Sequence, residues 1–227
     1  HHTGAQELKR QCVGLGDARK CDLASKEYDL AATAYRKYLE RFPNTKNAYE
    51  LNYYLAESLY FSQKFPEAAA AYEQVRDSNL DNRYQEDSAF NAVKAWEEQI
   101  KIEVKAGRLP DPPTPKAETV QKPVEPQDIP EPYRRLQAAY EAYVKLLPQN
   151  DKAAAMAYKA AEIAYRFLRF EEARPKFVAV TEGWCKDDVA VEAFTAIVAS
   201  YAMQDMAREA GEWGGKMAAA RCGTGEK

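Results

Sequence analysis

The sequence predicts an all-α protein, a solenoid of about five stacked helix pairs with a proline-rich insert inside the third. Three observations carry this. Apolar and small residues recur at helical spacing on two successive segments between Tyr49 and Val75. The pattern returns at a fixed step, seen first between Ala31 and Ala68, where 68 − 31 = 37. A run dense in proline breaks the series once, and the same step resumes beyond it.

The bulk numbers narrow the function classes. A chain of 227 residues, 46% hydrophobic and 30% charged, can bury one large core or two small ones. Its net charge of −3 leaves no basic field, so no nucleic-acid partner is expected. No apolar run reaches the roughly 18 residues of a membrane span, so no transmembrane segment is expected. His1-His2-Thr3-Gly4 reads as the remnant of an expression tag, with a native signal segment removed ahead of it.

Each element can then be justified in order. Residues 1–27 hold the tag remnant and an irregular segment or short first helix, because Gly14 and Gly16 break the pattern and only Asp17 to Lys26 suits a helix. The N-terminal half spans 28–106. Tyr28, Ala31, Tyr35 and Tyr38 share one helix face that ends before Pro43, which cannot continue a helix. Leu51, Leu55 and Leu59 mark the next helix at four-residue spacing. Ser62-Gln63-Lys64 makes a corner, and Pro66 sits in the following first turn, where its missing N–H costs nothing. Ala68, Tyr72 and Val75 form the next stripe, with small Ala68 permitting close approach and Tyr72 filling the space above. Ala92, Val93 and Trp96 repeat Leu55, Ala56 and Leu59, since 96 − 59 = 37, within a helix from Tyr84 to Ala106.

Residues 107–131 form the insert. Pro110, Pro112, Pro113, Pro115, Pro123, Pro126 and Pro130 exclude helix and sheet there and leave an extended or disordered segment. It lies between the two helices of one repeat and divides the solenoid into halves that could hinge. Its Pro112-Pro113-Thr114-Pro115-Lys116 reads either as a P-x-x-P ligand or as plain linker. The C-terminal half spans 132–222, where Leu136, Ala173 and Ala210 follow one another at 173 − 136 = 37 and 210 − 173 = 37. Gly214-Gly215 weakens the last helix, as suits a terminal cap, and 223–227 is expected to be a disordered tail.

This small–large pattern on paired helices resembles the tetratricopeptide repeat (TPR), whose copies stack into a right-handed superhelix. The resemblance implies a concave wall lined by the first helix of each pair, and hence a surface for protein partners. Outward positions on those helices nominate a partner-binding groove of Glu50, Tyr53, Glu57, Tyr60, Phe90, Lys94, Glu97, Tyr158, Glu162 and Tyr165. For each tyrosine the alternative is packing against the neighbouring repeat. A basic clamp for chaperone tails is disfavoured, because Glu50 and Asp87 would repel a carboxylate at two of its three stations.

Leu39-Glu40-Arg41-Phe42-Pro43, Leu146-Leu147-Pro148 and Tyr54 to Tyr60 further resemble bacterial cell-envelope TPR proteins. Examples are the lipoprotein of the outer-membrane β-barrel assembly machine and the Tol–Pal-associated periplasmic coordinator. That likeness implies a periplasmic or outer-membrane-associated scaffold for envelope proteins. A cytosolic peptide-binding adaptor is the alternative, and the oligomeric state is not set by sequence.

Cys12, Cys21, Cys185 and Cys222 bear on the choice. An even count fits two disulfides in an oxidising compartment, and four free thiols would fit the cytosol. Cys12 and Cys21 can close a loop only if one helix does not run through both. Cys185 and Cys222 occupy equivalent places in adjacent repeats, about 9–10 Å apart by helix packing, so a bridge there needs loop adjustment.

Motifs for catalysis are absent. There is no H-E-x-x-H, no G-x-x-x-x-G-K-[ST] and no G-x-S-x-G, and the only histidines belong to the presumed tag. Glu97-Glu98, Glu171-Glu172 and Asp187-Asp188 are adjacent pairs that do not converge on one helix face. No cofactor, metal or enzymatic activity is therefore expected.

Overall fold

The computed structural model describes residues 1–223; the expected tail beyond Gly223 lies outside the described residues. The elements are α1 (His2–Leu15), α2 (Ala18–Arg41), α3 (Ala48–Phe61), α4 (Phe65–Arg76), α5 (Gln85–Lys105), α6 (Glu131–Leu146), α7 (Ala153–Arg166), α8 (Phe170–Gly183), α9 (Asp188–Met203) and α10 (Ala207–Ala220). The described residues contain no strand, and the fold is an all-α solenoid of helix pairs. None of these helices is long and apolar enough to cross a membrane.

The chain divides into two compact units, the first His1–Ile102 and the second starting at Glu103. The boundary falls inside α5, and the proline-rich insert belongs to the second unit. In the first unit α1 packs on α2, α2 on α3 and α3 on α4. In the second unit α6 through α10 pack in the same consecutive way, and α7 also touches α9.

The N-terminal segment differs from its sequence reading. His2, taken as tag, opens α1 and sets its ring 5.8 Å from Tyr28 and 5.3 Å from Tyr54. Gly16 ends α1 in the left-handed region at φ 63°. Asp17 then caps α2, its carboxylate accepting from the Arg19 N–H at 3.0 Å. The short helix expected over 17–26 is thus the first part of a helix that runs on to Arg41.

Alanine sets how closely the helices approach. In the first unit Ala56, Ala68, Ala69, Ala92 and Ala95 are fully buried, with Tyr72 filling the space between them. In the second unit Ala161, Ala164, Ala173, Ala190 and Ala193 do the same beside Phe170 and Phe177. A methyl at the contact lets axes pack near the short end of the usual ~8–10 Å range. Polar ties add register in the second unit. The buried Gln137 amide donates to the Ala160 carbonyl at 2.8 Å, joining α6 to α7. Arg174, 6% exposed, donates to Ser200 Oγ at 2.9 Å and lies over the Tyr201 ring, joining α8 to α9.

The corners between paired helices share one geometry. Gln63, Leu168 and Asp205 all have φ near +60°. The residue after each donates back across the turn, Lys64 to the Leu59 carbonyl at 2.9 Å, Arg169 to Ala164 at 2.9 Å and Met206 to Tyr201 at 3.0 Å. This is the Schellman closure, which satisfies helix-end carbonyls and usually employs glycine.

Two disulfides are present. Cys12 of α1 joins Cys21 of α2 with Cα atoms 4.9 Å apart, across the Gly16 corner. Cys185 joins Cys222 at 4.6 Å, closer than helix packing alone gives. The reason is that Arg221 turns left-handed at the end of α10, bringing the Gly223 N–H to the Cys185 carbonyl at 2.8 Å.

Three substitutions probe this packing and these corners by urea unfolding. Ala68→Leu forces a larger side chain into a fully buried helix contact and should cost about 1–3 kcal/mol, while Ala70→Leu on the exposed face of α4 should stay within about 0.5 kcal/mol. Gln63→Gly removes a Cβ from a left-handed corner and should raise stability by up to about 1 kcal/mol. A loss of stability in that variant would show that the corner is not strained.

Candidate protein-docking site

The groove residues nominated on the first helices fall into two groups. In the first unit Glu50, Tyr53, Glu57, Tyr60, Phe90, Lys94 and Glu97 are half-buried side chains on α3 and α5. Several are engaged within the chain. Tyr53 stacks on Tyr84 with ring centroids 4.1 Å apart and planes 6° from parallel, and it meets Tyr72 edge-on. Glu50 accepts from Tyr54 at 3.0 Å and from Tyr84 at 3.1 Å, tying α3 to the residue that precedes α5. Lys94 donates to Glu97 at 2.8 Å and lies 5.5 Å from the Phe90 ring.

In the second unit the nomination of Tyr165 is corrected. It is 4% exposed, and its ring packs 5.3 Å from Phe170 and 5.7 Å from Phe177. Burial pushes its phenol up to about 12. Its position on α7 rotates it onto α8 rather than outward. Tyr158 is half-buried with its ring 5.3 Å from Phe177, and Glu162 is half-buried one turn further along.

Glu57 links the first-unit face to the helices packed beneath it. It accepts from the Tyr72 hydroxyl and, at 3.4 Å, from the Asn91 amide. Burial raises its pKa above the usual carboxylate value, with the Tyr72 hydrogen bond and the Lys9 ammonium opposing the shift and Asp87 adding to it. Burial, with the Glu57 charge, pushes Tyr28 up to about 12.

Beside this network a cavity of about 390 Å³ lies among α1, α2, α3, the start of α4 and α5. Tyr28, Tyr60, Phe61, Phe65 and Ile102 give it an apolar wall, and the Cys12–Cys21 bridge with Val13 closes one side. Val13 is 77% exposed and Ile102 39% exposed, so apolar surface continues from the cavity to solvent. Lys9 lies over the Phe61 ring, 3.1 Å from its centroid, and Glu98 lines the cavity as well. Of the nominated groove residues only Tyr60 lines it. Lys9, Val13 and Ile102 were missed because residues 1–27 read as an irregular segment or short first helix, and Ile102 as one residue of the helix from Tyr84 to Ala106.

Most of the acids weighed for catalysis have structural uses. Glu171 pairs with Arg174 at 2.6 Å, and Glu172 is bound by Arg134 and Arg169. Asp187 caps α9 through the Val189 N–H at 3.2 Å. Among the described residues no group of three His, Cys, Asp or Glu side chains is arranged to hold a metal ion.

No protein-family model matches the chain. No curated protein matches it either. Among solved structures it is similar to a variant of nearly identical TPR-like repeats from Podosopora anserina, described as kinesin light chain. The identity is 10%, over 96% of this chain and 93% of that one, with a TM-score of 0.46. It is also similar to BtubC (BKLC) from P. vanneervenii, at 12% identity over 96% of this chain and 87% of that one, with a TM-score of 0.36.

The raised pKa of Glu57 has a signed consequence. Between its unfolded value near 4.5 and the higher folded value, the native state binds more protons, so this residue's contribution to stability falls as pH rises through that window. Glu57→Gln keeps an acceptor for Tyr72 and removes the charge. Its unfolding free energy relative to the parent should therefore rise from pH 4.5 upward and then level off, measured by urea unfolding at several pH values. A difference independent of pH would place the Glu57 carboxylate in water.

Proposed function

We propose that this chain is a non-enzymatic scaffold of a bacterial cell envelope that holds protein partners on the first-helix faces of its repeats. The observation that carries the reading is the cavity beside Tyr60, an apolar recess of side-chain size that runs out to exposed Val13 and Ile102. A partner would seat an apolar anchor there, since buried apolar anchors supply most of the energy of such contacts. Glu50, Tyr53, Glu57, Phe90, Lys94 and Glu97 lie outside the cavity and would meet other parts of the partner along α3 and α5, and Tyr158 with Glu162 would contribute a separate contact from the second unit.

Support for the compartment comes from the cysteines. All four are paired, and disulfides persist where the environment is oxidising. The likeness of the helix-end phrases to envelope TPR proteins supports a bacterial periplasmic or outer-membrane-associated setting. The structural employment of Glu171, Glu172 and Asp187 supports the absence of catalysis.

A photo-crosslinking amino acid placed at Ile102 or Val13 in living cells should give a discrete adduct with an envelope protein. The same group at exposed Ala70 on α4 should not. Identical adduct patterns from the three positions, read by mass spectrometry, would overturn the docking site.

A further inference from the structure

The proline-rich insert is tied to helices of the second unit on both sides of a mostly exposed stretch. Its first anchor is three consecutive residues. The Tyr133 hydroxyl donates to the Pro110 carbonyl at 2.8 Å. Arg166, at the end of α7, donates through Nε to the Pro112 carbonyl at 2.7 Å and through its terminal nitrogen to the Asp111 carboxylate at 2.5 Å. A second anchor lies downstream, where the Gln127 N–H donates to the Phe167 carbonyl at 2.9 Å. Between the anchors most residues from Pro113 to Pro126 are exposed and none is helical.

The chemistry of the first anchor is selective. A proline has no N–H, so an extended proline segment offers its surroundings only carbonyl acceptors. Tyr133 and Arg166 offer only donors in these three contacts, and the guanidinium adds a charge-assisted bond to the one acid between the prolines. The edge of the Tyr133 ring meets Phe167, with centroids 5.2 Å apart, which fixes where the hydroxyl points. The anchor is also releasable on its own, because the Asp111 side chain is 58% exposed and a long exposed stretch separates it from Gln127.

We infer that Tyr133 and Arg166 form a second peptide-binding site, separate from the first-unit cavity, that takes an extended Pro-Asp-Pro segment from a partner protein. In the resting chain residues 110–112 occupy it in cis. A tethered occupant acts at an effective concentration up to the millimolar range, so a partner peptide binds well only when the strap is displaced.

The test uses a fluorescent peptide of residues 107–116 and anisotropy titration against the full chain. Replacing residues 109–113 by Gly-Ser-Gly-Ser-Gly should tighten peptide binding at least tenfold over the parent. Adding Arg166→Ala to that variant should abolish it, and a peptide carrying Asp111→Ala should bind about tenfold more weakly. No binding to a replacement variant with parental circular dichroism, or binding indifferent to Arg166→Ala, overturns the site. If the replacement lowers helical content, Asp111→Ala in the otherwise intact chain decides the matter. Tighter peptide binding than the parent then supports the inference, and equal binding defeats it.

Discussion

The close contact of alanine with alanine is the constraint on which the rest depends. Ala56, Ala68 and Ala92 lie at 0% exposure in one unit, and Ala161, Ala173 and Ala193 in the other. Helices this close leave little volume between them, and the space that remains is filled by large rings, Tyr72 in the first unit and Phe170 with Phe177 in the second. Because the contact is made by methyl groups, its dispersion and burial gains are spread over many small contributions. The corners must then hold the paired helices at that distance, which explains why Gln63, Leu168 and Asp205 adopt a left-handed backbone despite carrying side chains. A left-handed residue of this kind costs roughly 1–2 kcal/mol, and the packing it permits outweighs that.

Much of this was legible in sequence, for a physical reason. Helical spacing and the small residue at each contact are local properties, so Ala31, Ala68, Ala173 and Ala210 declare the period without knowledge of the partner helix. The corner conformation was not legible, because Ser62-Gln63-Lys64 carries no glycine to signal it. The first helix was lost for the opposite reason. Gly14 reads as a breaker, yet α1 runs through it to Leu15, with the Gly16 corner and the Cys12–Cys21 bridge holding it to α2.

The candidate site was less legible than the fold. Outward and inward positions on a first helix differ by about 100° of rotation per residue, so an error of one position moves a tyrosine from surface to core. Tyr165 crossed that line, at 4% exposure. Arg174 was invisible because its partners Ser200, Gln204 and Tyr201 lie on the next repeat. Sequence could mark the insert as extended or disordered, but all contacts of its two anchors except that of the Asp111 carboxylate are made by backbone atoms, which have no letter in a sequence.

The two disulfides sit at the ends of the described chain, and their placement follows from the stacking logic. An inner helix of a repeat stack is covered by neighbours on both sides, whereas a terminal helix has a neighbour on one side only. α10 shows the consequence, since none of its residues is buried. Its amphipathic contact with α9 includes Phe194 and Trp213, whose centroids are 6.2 Å apart. A crosslink from Cys222 to Cys185 limits how far such a helix can separate even when its packing lapses, and it acts chiefly on the unfolded ensemble. α1 is held in the same way at the opposite end. Bridging the terminal helices adds a covalent tie where packing is one-sided, while the inner helices are held by methyl packing, buried rings and polar ties such as Gln137 to Ala160. The Cys12–Cys21 bridge also makes the wall of the first-unit cavity depend on the oxidised state of that pair.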